Sequence, residues 1–312
     1  MIVEQSRNIV KEVGKVLVGK DEIISKALMA IYSGGHILLE DCPGVGKTTL
    51  AIGISKALGL STKRIQFTPD TMPSDIMGFT VYNNETHEFE YKPGAAFTNL
   101  LLGDEINRTS PKTQSALLEV MAEGSATVDG VTHQLPKPFV CIATQNPMGS
   151  AGTQPLPQSQ LDRFAVRLSI GYPDFENQAR ILETRGASAP FETINQVMNE
   201  DELLATQNFI DSITMSRSII EYIVKLCEGT RSHRLVDLGV SPRGMLSMSR
   251  MARACAIVMD RDFVVPEDVQ RVFVDSCAHR LVLSPQARVE AMTDIDVCKE
   301  VLASVEPPAL GA

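Results

Sequence analysis

The sequence predicts an α/β domain built on a five-stranded parallel sheet flanked by helices, followed by a smaller all-helical domain. Up to about residue 173, short continuous apolar runs alternate with helical patterns, as in parallel sheets that are buried on both faces. Beyond that point the chain has no convincing buried strand but has several helical patterns. We therefore expect the α/β domain over residues 1–185 and the helical domain over residues 186–312.

The predicted strands are short apolar runs, and two alternating segments are predicted to be hairpins. Residues 79–91 alternate around an Asn-rich loop, and residues 126–133 carry Asp129-Gly130 between β-forming residues, which is a strong hairpin signal. The sheet strands are expected over residues 36–39, 65–67, 99–103, 139–143 and 164–170.

Helices are predicted where apolar residues recur every three or four positions. Ser110-Pro111 and Ser241-Pro242 each combine a capping residue with a proline in the first turn, and Gly59 and Gly124 end helices. The expected helices comprise two within residues 1–34, one from Lys47 to about residue 58, one over residues 111–123, and two in the helical domain over 244–259 and 266–283.

Composition and charge restrict the class of protein. The 312 residues are 44% hydrophobic and 21% charged, which are ordinary globular values. No apolar run approaches the roughly 18–20 residues that span a bilayer, and the N-terminus lacks the apolar core of a signal peptide, so we expect a cytoplasmic protein. The six cysteines are scattered singly, which favours buried thiols over disulfides or a zinc site. A formal charge of −9 argues against a general nucleic-acid binder.

The stretch HILLEDCPGVGKTTL, residues 36–50, combines a predicted strand, a glycine-containing turn and a helix start. Such a turn directs N–H groups and the positive end of the helix dipole toward one point, which suits phosphate. Gly46, Lys47 and Thr48 match the P-loop pattern G-x-x-x-x-G-K-[ST], whereas Asp41 stands at its first glycine. An ordinary strand-to-helix turn that binds no ligand is an alternative interpretation of this stretch. A dinucleotide-binding G-x-G-x-x-G pattern fits less well because it needs a glycine at Thr49.

Phosphoryl transfer needs a phosphate cradle, Mg²⁺ ligands and a group that orients the attacking water. Lys47 is the candidate for the β- and γ-phosphates, and Thr48 is the candidate for Mg²⁺. Asp104 and Glu105 follow an apolar run, at the carboxyl end of a predicted strand where parallel sheets bind their ligands. We expect Asp104 to help hold Mg²⁺ and Glu105 to activate water. Two acidic residues after a strand also occur in ordinary solvated turns. Their assignment to a phosphate site therefore depends largely on the P-loop pattern that precedes them.

Three further polar residues are candidates for the same site. Asn146 follows the next strand and could contact the γ-phosphate or the water, although Asn before proline is commonly a turn former. Arg163 precedes the fifth strand, where it could also lie at an ordinary surface. Arg243 lies at a predicted helix start, where the dipole disfavours a cation and an anion nearby would explain it.

Together these motifs resemble those of the MoxR family of AAA+ ATPases, which is related to magnesium chelatase ATPase subunits. The resemblance covers nearly the whole chain, and in this family an aspartate at the first P-loop position is typical. The segments that carry it are EDCPGVGKTTLA (40–51), RIQFTPDTMPSDIMG (64–78), LLLGDEINRTSPKTQSALLEVMAEG (100–124), ATQNP (143–147), PLPQSQLDRF (155–164) and LSPQA (283–287).

The resemblance implies roles that spacing alone does not show. Asn146 corresponds to sensor 1, Arg163 to the arginine finger that reaches the neighbouring subunit's ATP, and Arg243 to sensor 2, expected to complete the site of its own subunit. The two hairpins correspond to the helix-2 insert and the pre-sensor-1 hairpin, and Arg108 is expected at a subunit interface. The implied nucleotide-binding residues are Val18, Gly19, Asp41, Cys42, Pro43, Gly44, Val45, Gly46, Lys47, Thr48 and Thr49.

The resemblance also implies a function. Proteins of similar families form ATP-hydrolysing rings that use ATP/ADP and Mg²⁺. The resemblance therefore implies such a ring here, expected to be hexameric. Such rings act as chaperones with partners carrying a von Willebrand factor A domain, and they remodel or mature client protein complexes or insert their metal cofactors.

Two alternative functions stay open. One is a nucleic-acid-dependent motor such as a helicase or clamp loader, but the hairpins carry Asp129 and several glutamates where such a motor would need basic residues. The other is a nucleotide-gated binding module with negligible turnover, against which Glu105 and Arg163 argue.

Overall fold

A computed structural model describes residues 2–146, 156–184 and 190–309 of the chain. The helices are α1 (Ile2–Gly14), α2 (Asp21–Tyr32), α3 (Lys47–Ala57), α4 (Pro73–Met77), α5 (Pro111–Glu123), α6 (Gln158–Leu161), α7 (Phe175–Thr184), α8 (Glu200–Phe209), α9 (Arg217–Ser232), α10 (Pro242–Val258), α11 (Pro266–Cys277), α12 (Pro285–Val289) and α13 (Asp294–Ser304). The strands are β1 (Ile37–Glu40), β2 (Thr62–Gln66), β3 (Phe79–Asn83), β4 (Glu88–Lys92), β5 (Leu100–Asp104), β6 (Ser125–Val128), β7 (Val131–Gln134), β8 (Val140–Gln145), β9 (Val166–Leu168), β10 (Val236–Leu238) and β11 (Val282–Leu283).

Five strands form one parallel sheet in the order β2-β5-β8-β1-β9, which confirms the predicted sheet. Ile37 of β1 lies opposite Ile142 of β8 and Val166 of β9. Because all five strands run the same way, the turn after β1 and the acidic residues that end β5 reach the same edge of the sheet.

The central strands β1, β5 and β8 are buried on both faces because their apolar side chains alternate between two hydrophobic clusters, whereas the edge strand β2 is largely exposed. Leu38 and Leu101 pack in one cluster with the apolar face of α5. Leu39, Leu100 and Leu102 pack in the other with α1, α2 and α3. The second cluster continues into the helical region, where α1 and α2 contact α10.

Both predicted hairpins are present, β3 with β4 and β6 with β7. Asp129 and Gly130 have φ of 50° and 80°, the left-handed conformation that a type I′ turn requires. The rings of Tyr91 and His133 stack with centroids 3.7 Å apart, so the two hairpins contact each other.

The helical region contains a short antiparallel ribbon, in which Val236 and Leu238 of β10 pair with Leu283 and Val282 of β11. The helix predicted over residues 266–283 ends at Cys277, and a 3₁₀ turn over Ala278–Arg280 leads into β11. Strands of two or three residues are too short to leave a periodic pattern in the sequence, so tertiary pairing alone reveals them.

The division into two domains near residue 185 stays a prediction, because residues 185–189 lie outside the described residues. Pro147 and Pro155, at the ends of two of the motifs, lie outside them as well. None of the helices in the described ranges is long and apolar enough to cross a membrane.

Candidate functional site

The chain between β1 and α3 folds into the glycine-containing turn that the P-loop pattern predicts. Gly44 and Gly46 have φ of +85° and +106°, a region that glycine adopts without steric cost. A Cβ on Gly46 would also lie 2.8 Å from Leu17 Cδ1. The Leu50 N–H makes the first backbone bond of α3, to the Gly46 carbonyl at 2.9 Å, so the earlier amides have no acceptor within the helix. Those amides are the donors expected of an anion site.

Lys47 lies folded over this turn. Its Nζ donates hydrogen bonds to the Asp41 carbonyl at 2.6 Å and to the Cys42 carbonyl at 3.4 Å. Burial lowers the pKa of Lys47, and the nearby carboxylates of Asp41, Asp104 and Glu105 oppose that shift. Because charged phosphate oxygens are stronger acceptors than neutral carbonyls, the ammonium group is placed to exchange these partners for phosphate.

The aspartate at the first glycine position of the P-loop pattern has a clear structural reason. Asp41 Oδ2 accepts hydrogen bonds from Ser169 Oγ at 2.9 Å and from the Gly171 N–H at 2.7 Å, and Oδ1 accepts one from the Cys42 N–H at 2.9 Å. Burial by itself would raise the pKa of Asp41, but these hydrogen bonds outweigh it and hold the pKa below its usual value. The carboxylate therefore ties the P-loop to the segment after β9.

A cavity of about 530 Å³ opens beside the P-loop, a volume within the range of small-molecule sites. Gly19, with φ of +70°, lies in the adjoining turn, where a Cβ would come within 2.2 Å of Asn177 Nδ2. Asp41, Cys42 and Pro43 form the first part of the P-loop turn. The predicted residues that line the cavity are Val18, Gly44, Val45, Gly46, Lys47, Thr48, Thr49 and Asp104.

Part of this lining was missed by sequence reasoning. Tyr172, Pro173, Gln178 and Leu182 reach the cavity from the connection between β9 and α7 and from α7 itself. Lys20 also lines it, and Lys20 Nζ donates to the Tyr172 carbonyl at 3.0 Å. These residues carry no motif, because what brings them to the P-loop is the path of the chain after β9.

Asp104 ends β5 at the edge of the sheet that also carries the P-loop, as predicted. Its Oδ1 accepts a hydrogen bond from Thr144 Oγ1 at 3.3 Å, and its Oδ2 pairs with Arg64 Nε at 2.6 Å. Thr48 and Asp104 line the same cavity. Hydroxyl and carboxylate oxygens are ligands that Mg²⁺ prefers, so the residues present fit a magnesium ion beside a bound phosphate.

Glu105 is held by several partners in an unusual backbone conformation. Its φ of +59° costs a non-glycine residue about 1–2 kcal/mol. Oε1 accepts a hydrogen bond from Asn146 Nδ2 at 2.9 Å, and Oε2 accepts hydrogen bonds from Gln66 Nε2 and Arg108 Nη1, each at 3.0 Å. The Glu105 N–H donates to Thr144 Oγ1 at 2.9 Å. Asn146 thus lies where a group that orients Glu105 must lie, and Arg108 contacts Glu105 within its own chain.

The same contacts set the charge of Glu105. Burial by itself would raise its pKa, but the hydrogen bonds from Asn146 and Arg108 and the charge of Arg108 outweigh that effect, so the pKa lies below its usual value. Glu105 is therefore ionised at neutral pH, as a group that accepts a proton must be.

Arg163 and Arg243 lie together, away from the P-loop cavity. With Arg250 they line a second cavity of about 340 Å³, which also contacts Gly35 and His36. Residues 35 and 36 precede β1 and the P-loop follows it, so the two cavities lie at opposite ends of the sheet. Arg163 Nη1 donates a hydrogen bond to the Leu118 carbonyl at 2.7 Å.

Arg243 therefore lies away from the P-loop cavity of its own chain, and the structure does not bring it to the site that it was expected to complete. Arg280 docks the helical region against the turn before β9, donating to Asp162 Oδ1 at 2.8 Å and to the Phe164 carbonyl at 2.6 Å. Ser241 Oγ, at the start of α10, donates to Asp162 Oδ2 at 2.8 Å, so α10 and Arg243 also lie at the amino end of the sheet. The Ser241-Pro242 motif predicts where α10 begins in the sequence, but it does not indicate at which end of the sheet that helix start lies.

Comparisons with known proteins agree with this architecture. The family described as ATPase family associated with various cellular activities (AAA) matches residues 36–166, and the AAA lid domain matches residues 228–301. A crystal structure of a candidate ATPase from Cytophaga hutchinsonii superposes with a TM-score of 0.89 at 34% sequence identity, covering 99% of this chain and 96% of that one.

Two relatives are similar over most of their length. The uncharacterized protein YeaC of Bacillus subtilis is 46% identical over 299 residues, which cover 96% of this chain and 93% of YeaC. Chaperone MoxR1 of Mycobacterium tuberculosis is 36% identical over 310 residues, which cover 96% of this chain and 82% of MoxR1. With an AAA domain, an AAA lid and these relatives, the chain belongs to the MoxR family of AAA+ ATPases.

Proposed function

We propose that this protein hydrolyses ATP to ADP and phosphate in a Mg²⁺-dependent reaction, at sites that are each shared by two copies of the chain. The observation that carries the proposal is the gathering of Lys47, Thr48 and Asp104 around one cavity, with the ionised Glu105 next to Asp104. Membership of an ATPase family supports both the nucleotide and the reaction.

Each group of one subunit has a role in this reaction. The P-loop amides and Lys47 bind the β- and γ-phosphates, and the surface around Val18 receives the adenine. Thr48 and Asp104 would hold Mg²⁺, which neutralises charge on the phosphate oxygens. Glu105 accepts a proton from the attacking water, and Asn146 orients its carboxylate.

Arg163 and Arg243 belong to the other half of the site. At the amino end of the sheet they lie away from the P-loop cavity of their own chain. In a head-to-tail ring, one end of each subunit meets the opposite end of the next. We infer that both arginines act on the neighbour's ATP in a ring expected to be hexameric, where cationic stabilisation of the transferred phosphoryl group is worth about 10³–10⁵ in turnover.

Mixed rings of two inactive variants test this arrangement. Lys47→Ala removes the phosphate ligand but keeps both arginines, whereas Arg243→Ala keeps an intact P-loop. Each variant alone should release almost no phosphate, and their mixture should regain activity at interfaces that pair an Arg243→Ala P-loop with a Lys47→Ala neighbour. In a random equal mixture about one interface in four has this pairing. Phosphate release at constant total protein concentration measures it.

A second mixture is the control for the placement of Arg243. Arg163→Ala mixed with Arg243→Ala should stay inactive, because no subunit then supplies both arginines to its neighbour. Recovery in this mixture, without recovery in the first, would place Arg243 in its own subunit's site and contradict the proposal.

The acid limb of the pH–rate profile tests the role of Asn146. The hydrogen bond from Asn146 helps to lower the pKa of Glu105. In the wild-type protein, Glu105 is therefore protonated only when the pH falls below the usual pKa of a glutamate. Asn146→Ala should move the acid limb of kcat to higher pH. Asn83→Ala, which removes a hairpin amide that bonds Glu90, is the matched control and should leave the limb in place. An unshifted limb in Asn146→Ala would remove Asn146 from this role.

The work of the ring is proposed to be that of a MoxR-type chaperone in the cytoplasm, which remodels or matures client protein complexes or inserts their cofactors. One relative is named as a chaperone, MoxR1 of Mycobacterium tuberculosis, which supports the chaperone role. All six cysteines are free, which is typical of a reducing compartment. A protein with a von Willebrand factor A domain is the expected partner.

Nucleic acid is not an expected partner. The tip of the β6–β7 hairpin carries Asp129, and the β3–β4 hairpin carries Glu85, Glu88 and Glu90, so both hairpins would repel a phosphate backbone. Phosphate release should therefore be unchanged by added DNA or RNA, and stimulation by either would revive the helicase or clamp-loader alternative.

A further inference from the structure

The turn that carries Arg163 is locked to the helical region by a buried arginine. Arg280 has 2% of its surface exposed, although arginine is among the residues least often buried. Its guanidinium donates to Asp162 Oδ1 at 2.8 Å, to the Phe164 carbonyl at 2.6 Å and to the Ala165 carbonyl at 3.3 Å. The fixed fork of donors therefore binds Asp162, Phe164 and Ala165, which lie on both sides of Arg163 in the chain.

The second oxygen of the same carboxylate reaches the helix that carries Arg243. Asp162 Oδ2 accepts a hydrogen bond from Ser241 Oγ at 2.8 Å. Ser241 is the N-cap of α10, and its Oγ also accepts a hydrogen bond from the Gly244 N–H at 3.0 Å. Asp162, the residue directly before Arg163, is thus hydrogen-bonded to Ser241, the cap that lies two residues before Arg243.

The close approach of Arg280 to α10 explains a glycine in the first turn of that helix. A Cβ on Gly244 would lie 2.5 Å from Arg280 Cδ and 2.7 Å from its Nε. Gly244 does not have a left-handed backbone, so its function is to leave space for Arg280. The two arginine-bearing segments are therefore packed around one shared side chain.

We propose that Asp162, through Arg280 and Ser241, is a positioning residue that holds Arg163 and Arg243 as one fixed pair for delivery to the neighbour's nucleotide. The inference rests on the proposed function, since it assumes that both arginines act across the interface. It adds that the finger turn and the helical region move as one body during turnover. Changes of shape in the ring then occur between subunits or at the P-loop end.

Asp162→Asn tests the proposal, because an amide keeps the shape of the side chain but loses one of its two acceptors. Turnover should fall on the order of 10²-fold, the cost of misplacing a catalytic group by about 1 Å. Binding of a fluorescent ATP analogue and the size of the ring should stay as in wild type, because the P-loop of the variant is intact. Mixing with Lys47→Ala should restore phosphate release, since the Lys47→Ala neighbour supplies a correctly held arginine pair.

A matched control separates positioning from general destabilisation. Asp268→Asn disturbs another carboxylate that pairs with an arginine, and its Oδ1 accepts from Arg261 Nη2 at 2.6 Å within the helical region. Asp268 is 2% exposed, whereas the side chain of Asp162 is 20% exposed, so the control is the more buried of the two. It should lower thermal stability without lowering turnover per folded subunit. Gly244→Ala displaces Arg280 from the side of α10, because its Cβ would lie 2.5 Å from Arg280 Cδ. It should show the same pattern as Asp162→Asn, and it replaces that variant in the test if Asp162→Asn folds poorly.

The outcomes are distinguishable. Wild-type turnover in both Asp162→Asn and Gly244→Ala would overturn the positioning role, and so would a loss of turnover that Lys47→Ala cannot restore, because the damage would then extend to the variant's own nucleotide site. Absence of phosphate release from the wild-type ring would instead overturn the proposed ATPase function itself.

Discussion

Replacing Arg163 by alanine is expected to reduce ATP turnover about 10³-fold or more, while ATP affinity stays near that of wild type. The guanidinium lies at the opposite end of the sheet from its own P-loop, so its loss leaves the residues that bind ATP in that subunit intact. What is lost is positive charge on the phosphoryl group of the neighbouring site. Phosphate release and equilibrium binding of a fluorescent ATP analogue measure the two quantities separately.

Arg217→Ala is the control for this variant. Arg217 is 84% exposed and pairs with Glu221 one turn along α9, so its loss should change turnover little. A dilution series of the wild-type protein gives an independent check, since specific activity should fall as rings dissociate. Wild-type turnover by Arg163→Ala, or activity independent of concentration, would contradict a site shared between subunits.

Glu105→Gln is expected to lower turnover by about 10²–10⁴-fold, because the amide cannot accept the proton of the attacking water. ATP binding should persist, and the ring should be retained in the ATP-bound form. Phosphate release, nucleotide content after gel filtration and ring size together measure this. The trapped ring is also the best reagent for capturing the proposed client and the proposed von Willebrand factor A partner.

Glu221→Gln removes an exposed carboxylate of the same type in α9 and should behave like wild type. If Glu105→Gln turned over ATP at the wild-type rate, Glu105 would not be the proton acceptor. The candidates would then be other groups at the carboxyl edge of the sheet.

Local sequence was sufficient for much of the site. The P-loop and the residues Asp104 and Glu105 were predicted because each motif places its side chains within a few residues of a strand end, and parallel strands share one edge. Asn146 was found for the same reason, and the structure places it 2.9 Å from Glu105. In these cases the local chain path determines the geometry.

Other parts of the site depend on segments that are distant in the sequence. Tyr172, Gln178 and Leu182 reach the P-loop cavity only because the chain turns back over the P-loop after β9. Arg64 and Gln66 reach Asp104 and Glu105 only because β2 pairs with β5. No sequence motif indicates either set of contacts, since each requires two distant segments of the chain to be brought together.

The sheet, the glycine turn after β1 and the acidic pair after β5 could be predicted from the sequence, because apolar periodicity and glycine-dependent turns act over short stretches of chain. The tertiary structure alone decided which end of the sheet Arg243 faces. That choice depends on the docking of Arg280 against Asp162 and Phe164, residues more than a hundred positions earlier. A long-range buried contact of this kind sets the direction of a whole helix without leaving a local pattern.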